Sequence, residues 1–195
     1  MVRPTIYTAG DSHGWHGWLH IPNVSTNYIS GPMTMHSFNI LMEKPNSHLA
    51  TVPSDSILCF CFGEIDCRCH VHRFQPWEKT IDILVKNYAK SIVNSTVGRD
   101  PKSIWVYFIP PPLRNPIADS EGFPFCGTVD ERITYVKYMN KKLKELPYTF
   151  IDLYDKYCNE DGSMIYEYSD GHVHIAKLEP LKEWIDNELL RTFTE

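Results

Sequence analysis

Thr5-Ile6-Tyr7-Thr8-Ala9-Gly10-Asp11-Ser12-His13 is the stretch from which the rest of this chain is read. Its β-branched and aromatic opening predicts a first strand over Thr5 to Thr8, and Gly10-Asp11-Ser12 has the chemistry of a turn that closes it. Outward from there, Tyr28-Ile29-Ser30 reads as a short second strand. Ser56 to Phe62 is a continuous apolar run ended by Gly63, as expected of a strand buried on both faces. Ser103 to Ile109, stopped by Pro110-Pro111-Pro112, and Tyr148 to Leu153 complete the set. Between these runs apolar residues recur at helical spacing: Ile81, Leu84, Tyr88 and Ile92, then Val129, Ile133, Val136, Met139, Leu143 and Leu146, and finally Leu178, Leu181, Ile185 and Leu189. Strands alternating with helices predict a five-stranded parallel sheet covered on both faces, a three-layer α/β/α architecture. Ligands of such sheets bind beyond the carboxyl ends of the strands, where Ser12 and Gly63 both fall.

Composition sets the outer bounds. At 195 residues and 43% hydrophobic, the chain is expected to form a single domain spanning 1–195. The formal net charge is −5, with acidic and basic residues interspersed, and no basic run suggests a nucleic-acid partner. Met1-Val2-Arg3-Pro4 lacks an apolar signal segment, and no apolar run approaches the roughly 18 residues of a membrane span. An intracellular protein with no membrane partner is the expectation. Four of the six cysteines lie between Cys59 and Cys69, and reduced thiols fit that compartment better than a disulfide scaffold.

The chemistry-bearing residues lie at the two ends of the chain. Ser12 follows the first strand, and Asp170-Gly171-His172-Val173-His174 precedes the last helical pattern. A serine with an Asp/His pair far away in sequence supplies a nucleophile, a base and a group to orient the base, once folding joins them. Gly10-Asp11-Ser12-His13-Gly14 also satisfies the Gly-x-Ser-x-Gly nucleophile elbow. An elbow serine, however, follows several strands of a larger sheet. The competing use of Asp11 or Ser12 is simply to cap a helix.

Together these residues resemble the SGNH/GDSL hydrolase family, whose sheet is flavodoxin-like. Gly10-Asp11-Ser12 resembles its first block. Asp170 to Ile175 followed by an amphipathic helix resembles its last, although the usual Asp-x-x-His spacing is absent. His174 is favoured as base because Ile175-Ala176 follow it as in the family, with His172 as the alternative base. Gly63-Glu64-Ile65-Asp66 stands where the family has Gly-x-Asn-Asp, so Ile65 replaces the oxyanion-donating Asn. Gly63-Glu64-Ile65-Asp66-Cys67-Arg68 and Gly31-Pro32-Met33-Thr34-Met35-His36 look like markers of a subgroup associated with surface polysaccharides, and Gly31 then stands for the second-block glycine.

The resemblance implies a serine esterase removing an O-acyl group, acetyl above all, from a carbohydrate, with Ser12, His174 and Asp170 as catalytic residues. Gly31, Gly63 and Arg68 would serve the oxyanion and substrate. Arg68 would either replace the missing Asn or form an ion pair with Glu64 or Asp66 that holds the loop. An O-acyltransferase and a non-catalytic glycan-binding domain on the same scaffold remain open. Cys59, Cys61, Cys67, Cys69, His70 and His72 are soft-ligand types, but their Cys-x-Cys and His-x-His spacings are not those of zinc loops. No metal and no cofactor are expected. His13, His16, His20, Trp15 and Trp18 form a polar-aromatic stretch after the serine, read as packing under the loop or, if exposed, stacking on a sugar.

Overall fold

In the computed structural model of the chain, residues 3–28, 33–43, 52–116 and 123–193 are described. Five strands, β1 (Ile6–Gly10), β2 (Val24–Tyr28), β3 (Ile57–Cys61), β4 (Ser103–Tyr107) and β5 (Thr149–Ile151), form one sheet. All pair in parallel, in the order β2-β1-β3-β4-β5. The chain leaves β1 for the edge, then returns across it to β3, so the order reverses between β1 and β3. A crevice opens at such a reversal, and it is where ligands of open α/β sheets bind.

β3 is buried along its whole length because both faces are covered. Phe60 and the following Phe62 turn to one face, against Phe38 of α1 (Met35–Leu41), and Phe62 also meets Tyr88 of α2 (Trp77–Ser95). Cys59 and Cys61 turn to the other face, which Trp105 and Tyr107 of β4 share; Tyr107 packs on Trp18 and Trp105 on Trp184. Trp184 belongs to α5 (Glu179–Phe193). A strand with two covered faces loses the polar alternation of a half-exposed one, which is why this run reads as continuously apolar.

The expected helical stripes point inward. Ile81, Leu84, Tyr88 and Ile92 are buried on α2; Ile133, Val136, Met139 and Leu143 are buried on α3 (Val129–Lys144), while Leu181, Ile185 and Leu189 are buried on α5. Thr128 and Glu131 cap α3 reciprocally, each side chain bonding the other's amide. A short α4 (Tyr154–Tyr157) follows β5. The second strand differs from expectation: it runs Val24–Tyr28 rather than Tyr28 to Ser30, and Ile29 and Ser30 lie outside the described residues. It is an edge strand, paired on one side only, so Ser25 and Thr26 need not be apolar. Among the described residues, no helix is long and apolar enough to cross a membrane.

Candidate active site

Gly10 passes directly over the end of β3. A Cβ there would sit 2.2 Å from the Cys61 carbonyl oxygen, so any other residue would push β1 and β3 apart. The Asp11 amide then donates to that same carbonyl at 3.1 Å, and the chain turns sharply through a 3-10 turn at Ser12–Gly14. Asp11 caps this turn by accepting from the His13 amide at 2.8 Å. Capping and presentation of the serine are thus one structure, and Ser12 is left half-buried at the crevice.

The partner loop is closed by an antiparallel bridge between Ser169 and Ile175, and by the Asp170 amide donating to the His174 carbonyl at 3.0 Å. Asp170 Oδ1 accepts from the amides of His172 (2.8 Å) and His174 (3.1 Å), which leaves Oδ2 for the His174 ring. His174 Nδ1 donates to Oδ2 at 2.7 Å, and Nε2 accepts from the Ser12 hydroxyl at 2.8 Å. With a carboxylate at Nδ1, the proton belongs there and the lone pair faces the serine. His172 is exposed, and among the described residues its ring makes no hydrogen bond. His174, not His172, therefore reaches Ser12.

Electrostatics agree with a neutral ring on an ionised carboxylate. Burial is the largest influence on His174 and holds it below its usual value, with His13 adding to the effect against the pull of Asp170. Burial works against the charge of Asp170, but the His174 ring and the two amides hold its carboxyl well below the usual range. His16 stacks on His174 at 4.0 Å between ring centroids, and the 40% exposed Trp15 meets His16 edge-on at 4.7 Å. Trp18, by contrast, is fully buried. His13 is buried as well, with Nδ1 3.0 Å from Asp11 Oδ1 and Nε2 donating to the Val173 carbonyl at 3.1 Å. The sequence marks His13 as part of the run Gly10-Asp11-Ser12-His13 and of the polar-aromatic stretch after the serine, but the role of its ring is not local, because its second partner lies 160 positions away.

The turn after β3 is organised differently. Gly63 adopts φ +117°, and a Cβ would meet Ile109, Met139 and Met35 at 2.7–3.1 Å, so only glycine turns here. Ile65 is buried. Asp66 is buried too and accepts from the amides of Met35 (2.6 Å) and His36 (3.2 Å) at the start of α1; burial pushes its carboxyl up to about 7 against those two bonds. Arg68 donates from Nε to Glu64 Oε1 at 2.7 Å and from Nη2 to Oε2 at 3.1 Å. Its remaining arm donates to the Phe123 carbonyl. The guanidinium is therefore paired with Glu64, one of the two arrangements expected of it. Gly31 lies outside the described residues.

The Ser12 amide, which faces the crevice end of β1, has no acceptor among the described residues. A cavity of about 20 Å³ opens beside Val173, the neighbour of His174, and is lined also by Leu113, Phe125, Glu64 and Arg68. The cysteines are free thiols; Cys59 and Cys61 lie side by side at 3.9 Å between sulfurs, and burial pushes the Cys61 and Cys67 thiols up. Cys59, Cys61, Cys67, Cys69, His70 and His72 do not converge as a ligand set. Among the described residues the ligand-type atoms that do converge, within 4.8 Å, are those of His16, Asp170 and His174.

No family model matches the sequence, and no curated protein does. Solved structures do. A GDSL-like lipase from Bacteroides thetaiotaomicron superposes with a TM-score of 0.62 at 11% identity, over 98% of this chain and 92% of that one. The aryl esterase of M. smegmatis superposes with a TM-score of 0.56 at 16% identity, over 98% of this chain and 99% of that one. Identities this low speak for architecture alone, and in architecture the chain has the fold of the GDSL-like hydrolases, with Ser12 beyond the carboxyl end of β1 and His174 brought to it from the last loop.

Proposed function

We propose that this protein is a serine esterase that removes an O-acyl group, acetyl in particular, from a carbohydrate. The observation that carries the reading is the continuous line from Asp170 Oδ2 through His174 to Ser12 Oγ, at 2.7 and 2.8 Å. Ser12 attacks the ester carbonyl while Nε2 of His174 takes the hydroxyl proton; Asp170 holds the ring and stabilises the imidazolium that forms. His174 returns the proton to the departing sugar hydroxyl, and water then releases the acyl group from Ser12 by the same route. The Ser12 amide is the oxyanion donor in this scheme, a contribution of roughly 10²–10³ in rate.

One feature supports the finer reading. Trp15 and His16 set an aromatic surface next to the base, of the kind that packs against a sugar ring. A fluorophosphonate probe and release of acetate from an O-acetylated oligosaccharide test the reading together. Wild type should label and release acetate, Ser12→Ala should do neither, and acetyl esters should outrun butyryl and octanoyl esters. Absence of labelling in wild type would leave a glycan-binding domain. Transfer to an added glycan without free acetate would make it an acyltransferase.

A further inference from the structure

Two aspartate–histidine pairs meet at the carboxyl edge of the sheet, and the scheme above uses only one. The other, Asp11 and His13, is 0% and 5% exposed. Asp11 Oδ1 faces His13 Nδ1 at 3.0 Å, and the Val173 carbonyl faces Nε2 at 3.1 Å. A carbonyl and a carboxylate both only accept, so both ring nitrogens carry hydrogen and the ring is an imidazolium. Burial opposes that charge, and Asp11 more than offsets it, raising His13 to about 9.

The location of this ion pair gives it a use. His13 follows Ser12, and Val173 precedes His174, so the bond between them ties the nucleophile's turn to the base's loop. The same two segments also meet through the Ser12–His174 bond itself and the stack of His16 on His174. The His13 ring also lies 4.8 Å from that of His174. We propose that His13 is a positioning residue: paired with Asp11, it latches Val173 so that His174 meets Ser12 already aligned, and its charge keeps that base free of a proton. The proposal rests on Ser12, His174 and Asp170 being the reacting groups.

The charges around His174 determine the sign of the effect. Asp170 on its own loop and Glu64 beyond β3, itself paired with Arg68, favour protonation; His13 on the serine turn opposes it, and the neighbouring His16 is held below its usual value by burial and by His174. Removing the His13 charge leaves the carboxylates less opposed, so His174 should take its proton at higher pH.

His13→Leu removes charge and donor, whereas His13→Gln keeps an N–H able to reach the Val173 carbonyl. An NMR titration of the His174 ring should move to higher pH by about one unit in both variants. On a small acetyl ester, kcat should fall roughly 10- to 100-fold in His13→Leu and only a few-fold in His13→Gln, with KM little changed. A folded His13→Leu or His13→Gln protein with the wild-type His174 titration, or a folded His13→Leu protein with wild-type kcat, would overturn the proposal. The titration needs no turnover, so an inactive wild type would sink the esterase reading while the latch is still judged by the ring.

Discussion

The turn leaving β1 and the turn leaving β3 start side by side, Gly10 opposite Cys61, and use polar side chains in opposite ways. After β3, Glu64 and Arg68 satisfy each other four residues apart, and Asp66 is consumed by the first amides of α1. After β1, the Ser12 hydroxyl finds its partner 162 residues away. Polar groups consumed by ion pairs or by the amides of a neighbouring helix build the frame. A polar group left at the crevice until a distant loop arrives is where a reaction can be assembled, because such an alignment has to be held by the whole fold.

The largest effect that would break this contrast is on turnover. Ser12→Ala and His174→Ala should each lower kcat on an acetyl ester by about 10³-fold or more, whereas His172→Ala should stay within about 3-fold. The reverse order of the two histidines would mean that the loop rearranges when substrate binds. Next comes stability. Asp66→Ala strips the acceptor from two amides at the head of α1 and should cost about 2–3 kcal/mol in urea unfolding. A loss below about 0.5 kcal/mol would show that the turn after β3 is not held this way.

The smallest effect sharpens the role of Arg68. Arg68→Lys keeps a positive charge but loses the two-pronged grip on Glu64, so stability should fall by about 1 kcal/mol while kcat stays within about 3-fold. A fall in kcat of about 10²-fold in a stable variant would instead place the guanidinium at the oxyanion, in the role left empty by Ile65.

Much of this architecture is written in local pattern. β1, β3, β4 and β5 and the three long helices are legible because burial dictates their residues: a doubly covered strand must be apolar throughout, and a helix on a sheet must carry a stripe. β2 escapes that reading because an edge strand can form from half-buried polar residues such as Ser25 and Thr26. Likewise Ser12, Asp170 and both histidines stand out as residue types placed at strand and helix ends. The preference for His174 over His172 comes from the family resemblance and not from local pattern, since the two rings differ only in where the Asp170 carboxylate, accepting both backbone amides, lets each one point. The pairing of Arg68 with Glu64 was one of two local options, and the tertiary structure selected it by burying both side chains. His13 lies furthest from the reach of pattern. Its charge exists because folding brings Asp11 to one side of the ring and the Val173 carbonyl to the other, and no property of the segment around Ser12 contains the second of those acceptors.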